Sequence, residues 1–269
     1  MEIKRYAAID VGSNGVRLLI SNVLLIKNQP PLFRKSALVR VPIRLGADTF
    51  ESGKISEKNK LRMADAMKAF HLLMEVHGVE KYRACATSAM REASNSKEII
   101  QYVKQESDVN IEIIDGKTEA AIISSTDLYQ MLDMEKDYLY IDVGGGSTEF
   151  TMIRDGQKLA SKSFKIGTVR LLESKDDFSK EWSEAEKWII QQTKKSDEVT
   201  VIGSGGNIVR VYKMANTGIG KPISLDYIKK QYKHLKSLTY EQRIVEEGLN
   251  PDRADVIIPA LEIYISAMK

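Results

Sequence analysis

Apolar positions along this chain follow two periods, and the switches between them outline its elements. Residues 3–9 and 16–26 are β-rich runs on either side of Asp10-Val-Gly-Ser-Asn-Gly15, and a third run, 32–43, follows Pro30-Pro31. Three extended runs joined so closely predict an antiparallel meander. From Ser56 to Gly78 the spacing turns helical: Leu61, Ala64, Met67, Phe70 or His71, and Met74 recur at three- and four-residue steps, with Ser56 as cap and Gly78 as stop. The methionines of this helix read as core.

Downstream, the pattern predicts a strand near 81–86, a helix near 88–106, a strand at 109–114 and a helix over about 117–132. A second meander follows at 137–143, 148–154 and 157–166, with Asp155-Gly156 as its hairpin turn. A helix at 180–195 and a strand at 198–202 lead to Gly203-Ser-Gly-Gly206, and helices are predicted near 207–215, 225–236, 239–247 and 252–268. On the helix predicted near 225–236, Lys229, Lys230 and Lys233 form the solvated side of a face packed through Tyr227, Ile228, Tyr232 and Leu235.

The two meanders repeat one another. Each opens with an apolar strand ending in Asp-Val-Gly, turns through small residues, and returns as a strand that hairpins into a third: Ala8-Ile-Asp-Val-Gly-Ser13 and Tyr140-Ile-Asp-Val-Gly-Gly-Gly-Ser147. Their separation is about one domain length, so duplication of one α/β unit is the simplest account. With 269 residues the chain has room for two cores. The expected domains are 1–114 plus 252–269, and 115–251.

Composition narrows the partners. Hydrophobic residues at 43% and charged residues at 29% are those of an ordinary globular chain, and a net charge of +3 is too slight to argue for nucleic acid. No apolar run is long enough for a membrane span, and the N-terminus enters a strand without the layout of a signal peptide, so a cytoplasmic location is expected. A single cysteine, Cys85, excludes an intrachain disulfide, and the spacing of His71 and His77 does not put two ligands on one helix face.

Chemistry concentrates in the repeated loops. A strand, a tight Gly/Ser turn and a returning strand expose several backbone N–H groups in one concavity, and glycine lets a phosphate come close. Gly12, Ser13 and Asn14 form one such loop; Gly144, Gly145, Gly146, Ser147 and Thr148 form the other. Asp10 and Asp142, one at each strand end, suit a hydrated Mg²⁺ that bridges substrate oxygens. A dinucleotide-binding reading fails, because Gly144-Gly-Gly-Ser147 leads into the strand-like Thr148-Glu-Phe-Thr-Met-Ile153 and not into a helix.

Four segments in order, Tyr6-Ala-Ala-Ile-Asp-Val-Gly-Ser-Asn-Gly-Val-Arg-Leu18, Ala86-Thr-Ser-Ala-Met-Arg-Glu-Ala93, Ile141-Asp-Val-Gly-Gly-Gly-Ser-Thr-Glu149 and Ile202-Gly-Ser-Gly-Gly206, resemble the exopolyphosphatase/guanosine pentaphosphate phosphatase family. The resemblance implies an α/β fold of two ribonuclease-H-like domains, of the actin, Hsp70 and sugar-kinase superfamily, closing over phosphates in an interdomain cleft. It implies a Mg²⁺-dependent hydrolase that releases terminal orthophosphate from polyphosphate or guanosine pentaphosphate, and a homodimer as the assembly to test for. It also implies roles: Glu119, in Asp115-Gly-Lys-Thr-Glu-Ala120, as catalytic base; Glu149 as a second active-site acid; Asp10 and Asp142 as metal-associated carboxylates; Arg91 as a phosphate contact. Arg17 matches an arginine of the first loop or ties that loop in place. Arg91, Lys165, Arg170 and Arg210 are the basic residues expected along the cleft.

The chain departs from the family pattern in three ways. Long members carry a further all-helical domain after this core; relatives add a final strand and helix beyond the equivalent of Lys269; and Asn14-Gly15 stands where many have Asn-Ser. Two rival readings use the same loops. A small-molecule kinase would activate a hydroxyl in place of water, and a sensor would bind polyphosphate or guanosine polyphosphate without turnover.

Overall fold

A computed structural model describes residues 1–124, 132–218 and 220–269. It divides into two compact units, Met1–Asp115 and Gly116–Lys269.

The first unit begins with the predicted meander: β1 (Glu2–Val11), β2 (Val16–Leu25) and β3 (Leu32–Val41) pair antiparallel. Next to β1, β4 (Lys81–Ala86) and then β5 (Ile111–Ile113) add parallel strands, giving the order β3-β2-β1-β4-β5. Two helices follow the meander, α1 (Leu45–Ser52) and α2 (Glu57–Val76). Ser56 caps α2 as the sequence requires, its hydroxyl accepting from Asn59 N–H at 3.3 Å. The single helix predicted over 88–106 is two, α3 (Ser88–Glu92) and α4 (Ser96–Ser107), because Asn95 leaves the ladder to exchange side-chain hydrogen bonds with the Ile55 backbone. Ile9, Val11, Leu18, Ile20, Met63, Met67 and Phe70 form the core, so the methionines of α2 are packing residues.

The second unit repeats the plan. After α5 (Gly116–Ser124), the strands β6 (Asp137–Val143), β7 (Thr148–Arg154) and β8 (Gln157–Phe164) form the second meander. Asp155 and Gly156 take the left-handed conformation, with φ of 50° and 65°, that a two-residue hairpin turn demands. β9 (Val199–Ser204) pairs parallel to β6, and the order β8-β7-β6-β9 matches β3-β2-β1-β4 strand for strand. The predicted α/β duplication is therefore present in the backbone. Of the helix predicted over 117–132, residues 125–131 lie outside the described residues.

The remaining helices belong to the second unit: α6 (Thr168–Glu173), α7 (Ser179–Thr193), α8 (Gly206–Ala215), α9 (Leu225–Ser237), α10 (Tyr240–Val245), α11 (Pro251–Ala254) and α12 (Ile257–Ala267). One expectation is overturned here. Residues 252–269 fall within the second unit; α12 packs in the second core with Leu139, Ile141, Phe150 and Ile208. The helix is apolar on nearly every face, and Ile257, Ala260, Leu261 and Ile263 are fully buried. Tyr264 locks it to the sheet, its single hydroxyl hydrogen shared between the Ile141 and Ser204 carbonyls at 3.1 and 2.6 Å.

Candidate active site

Each meander closes its first turn with the same bond. Gly12 N–H donates to the Gly15 carbonyl at 3.2 Å, and Gly144 N–H donates to the Ser147 carbonyl at 2.9 Å. A Cβ at Gly144 would lie 2.9 Å from that Ser147 oxygen, so the tightness of the turn is what requires glycine there.

In the second unit a short helix fixes where the loop's amides point. Thr168 N–H donates to the Gly144 carbonyl at 3.0 Å, Val169 and Arg170 N–H both donate to the Gly145 carbonyl at 2.8 and 3.0 Å, and the Arg170 Nε–H donates to the Gly146 carbonyl at 2.7 Å. The C=O and N–H of a planar trans peptide unit point in opposite directions. With the carbonyls of Gly144, Gly145 and Gly146 held toward α6, the N–H groups of Gly145, Gly146 and Ser147 turn away from it. Neither the Gly145 nor the Gly146 N–H donates to a backbone carbonyl among the described residues. The approach is close enough that a Cβ at Gly167 would sit 2.5 Å from both the Gly145 oxygen and the Gly146 nitrogen.

Beside this cradle lies the buried carboxylate of Glu149. Its Oε1 accepts the Ser147 hydroxyl at 2.8 Å and the Ser163 hydroxyl at 2.7 Å. It is the direct cross-strand neighbour of Asp142. A Cβ at Gly116, the first residue of α5, would lie 3.2 Å from Ser163 Cβ, so α5 starts against the same stretch of β8. Glu119 stands in that first turn, half-buried. Asp142 is also felt by Tyr264, whose phenol is pushed well above its ordinary value by burial first and by the nearby Asp142 charge second.

The first loop is wired differently. Gly46 N–H, at the start of α1, donates to the Ser13 carbonyl at 2.8 Å, and Arg17 is the cross-strand neighbour of Asp10. Arg17 Nη1 donates to Asp10 Oδ2 at 3.0 Å. The Asp10 side chain keeps 47% of its exposure, yet desolvation by the surrounding protein lifts its carboxyl above the ordinary value, with the Arg17 charge and hydrogen bond pulling the other way.

Residues 31–269 match the Ppx/GppA phosphatase family. The chain belongs to that family. It is similar to the bifunctional 3-dehydroquinate synthase/phosphatase of Fusobacterium nucleatum, 28% identical over 94% of this chain and 41% of the relative. It also resembles the guanosine-5'-triphosphate,3'-diphosphate pyrophosphatase of Aliivibrio fischeri, 26% identical over 97% of this chain and 54% of the relative. The chain spans about half the length of these curated relatives. Among solved structures, an exopolyphosphatase from Cytophaga hutchinsonii superposes with a TM-score of 0.78 at 25% identity, covering 98% of this chain and 89% of that one.

Within this Ppx/GppA chain several predicted phosphate contacts have other duties. The Thr148 side chain is fully buried and its hydroxyl donates to the Ile166 carbonyl at 2.6 Å, so the side chain braces the loop from below. Ser147 gives its one hydroxyl hydrogen to Glu149, which leaves its N–H as the group to offer a phosphate. The Ser13 side chain is buried against Gly46. Arg91 Nη1 donates to the Ile114 carbonyl at 2.7 Å, tying α3 to the end of β5. Arg170, expected along a cleft, is 7% exposed and lies beneath the glycine loop. Ser163, Ile166 and Gly167 carried no signal in the sequence, since their importance comes from the loop they meet across the fold.

The donor set bears on Mg²⁺. Among the described residues no group of three or more metal-ligating side chains converges. Asp142 is partly exposed at a strand end beside Glu149, which fits an ion held mainly by water and substrate oxygens; Asp10 has one oxygen engaged by Arg17.

Proposed function

We propose that this chain is a phosphohydrolase that releases terminal orthophosphate from a phosphoanhydride chain, inorganic polyphosphate or guanosine pentaphosphate. The observation that carries this reading is the second loop, with three consecutive N–H groups turned to one side beside the Glu149 carboxylate, and with Glu119 in the first turn of a helix that starts against the serine bound to Glu149. Backbone amides aimed at one place suit the oxygens of a terminal phosphate, and they cost no reorganisation when charge develops there. Family membership and the names of the relatives support the same reaction class.

In this mechanism Glu119 accepts a proton from a water as its oxygen attacks the terminal phosphorus, the P–O bond to the chain breaks, and the shortened chain leaves with the bond's electron pair. Glu149, held by two hydroxyls, orients Ser147 and so keeps the cradle in shape. Asp142 in the second unit and Asp10 in the first each offer a carboxylate to the water shell of a Mg²⁺ ion, which would supply charge neutralisation for the phosphate oxygens.

Orthophosphate release from polyphosphates of graded length and from guanosine pentaphosphate, each with and without Mg²⁺, tests the reading. Glu119→Gln keeps the shape of the side chain and is expected to lower turnover by roughly 10²- to 10⁴-fold. Binding without release by the unaltered chain would favour the sensor, and nucleotide-dependent phosphorylation of a hydroxyl would favour the kinase.

A further inference from the structure

We propose that Arg170 is a positioning residue for phosphate binding: its guanidinium, with the first amides of α6, sets the direction of the glycine loop's N–H groups. The inference rests on the phosphohydrolase reading and names the part of the chain that aims the cradle.

Arg170 reaches the loop twice, and the two contacts act on successive peptide units. Its backbone N–H holds the Gly145 carbonyl at 3.0 Å, which directs the Gly146 N–H; its Nε–H holds the Gly146 carbonyl at 2.7 Å, which directs the Ser147 N–H. The second is the one loop carbonyl of the three that depends on a side chain, so it is the one a substitution can release. The bond is charge-assisted and buried, which strengthens it. It also polarises the Gly146–Ser147 peptide so that the Ser147 N–H becomes a better donor. A loop of three glycines has many backbone conformations available and none favoured by its side chains. Anchoring its carbonyls is therefore what turns a flexible sequence into a fixed array of donors. Gly167 completes the device, since any larger residue would hold Arg170 and its helix off the loop.

Arginine and lysine differ here in a useful way. Lysine keeps the charge but lacks an Nε–H set partway along a rigid fork. If only positive charge beneath the loop mattered, Arg170→Lys would be neutral; if aim matters, it would not.

The test is calorimetric titration of inorganic tripolyphosphate into the intact chain and into Arg170→Met and Arg170→Lys, together with steady-state phosphate release and hydrogen exchange across residues 143–149. For Arg170→Met we expect at least tenfold weaker tripolyphosphate binding, a raised KM together with a lowered kcat, and faster exchange at Gly146 and Ser147. Arg170→Lys should recover less than half of the lost binding free energy. Tripolyphosphate binding of unaltered strength in a folded Arg170→Met variant overturns the proposal. Should that variant fail to fold, Arg170→Lys carries the test alone, and binding within twofold of the parent overturns it. Failure of the parent to release phosphate while it still binds tripolyphosphate would sink the hydrolase reading and leave the positioning role standing.

Discussion

The two Asp-Val-Gly loops share a strand frame and a turn, yet they differ in what stands opposite the aspartate and in how the loop is held. Opposite Asp10 is Arg17, and the two form an ion pair in which each side chain is about half exposed. Opposite Asp142 is Glu149, buried, with two serine hydroxyls on one oxygen. One loop carbonyl in the first unit is held by a following helix, against three in the second. Duplication supplied the same backbone twice; side chains then assigned the anchored donor array and the acidic pair to one copy. The lesson is that a repeated motif marks a site without saying which copy carries the chemistry.

This asymmetry can be broken experimentally, and the largest effect is expected at the helix that grips the second loop. Gly167→Ala would drive a Cβ to within 2.5 Å of three backbone atoms of Gly145 and Gly146, a cost of about 3–5 kcal/mol with loss of phosphate release. The counterpart, Gly46→Ala, meets the Phe50 ring at 2.8 Å, which can turn aside, and Ser13 Cβ at 2.9 Å, and should cost about 1–3 kcal/mol. Chemical denaturation of both variants gives the comparison, and equal costs would deny that the second loop is held more rigidly.

A middle-sized effect lies at the other end of the second sheet. Partial burial would raise the Asp137 carboxyl, but hydrogen bonds from Ser196 and from Arg154, the latter at 2.9 Å, overcome it and hold the group below its ordinary value of 3.8. A carboxylate depressed in the folded state adds stability that is full above its unfolded value and is lost as pH falls through the folded one. Asp137→Asn is therefore expected to cost about 1–3 kcal/mol at neutral pH. The gap should close as the pH drops below about 4, as melting curves at graded pH would show. At the corresponding base of the first sheet stands Arg5, whose backbone N–H is met by the exposed Glu80 side chain at 3.1 Å.

The smallest effect belongs to the first loop. Arg17→Gln removes a half-exposed ion pair and should change stability by less than about 1 kcal/mol. A loss several times larger, measured by urea unfolding, would make Arg17 a structural anchor of the same rank as Arg170.

Backbone events were legible from the residues alone. The paired loops, the left-handed hairpin at Asp155-Gly156, the Ser56 cap and both meanders follow from turn chemistry and a period of two, which are local. What escaped was long-range or short in length. α1 and α6 have eight and six residues, too few for a helical period to stand out, and α6 proves to be what holds the loop. The side-chain duties of Thr148 and Arg170 depend on partners 18 and 24 residues away. The placement of 252–269 failed for a related reason: an apolar period announces that a helix is buried but not in which core.

The grip of α6 on the glycine loop has an evolutionary consequence. Two of the three residues that supply its backbone donors, Thr168 and Val169, act there through groups that every amino acid except proline possesses. Their side chains answer only to the core around them, so these positions can drift among residues that pack well while the loop above stays unchanged. Descendants of this fold could exchange much of the helix and keep the cradle, provided that a glycine at 167 and an arginine at 170 pass through the lineage together.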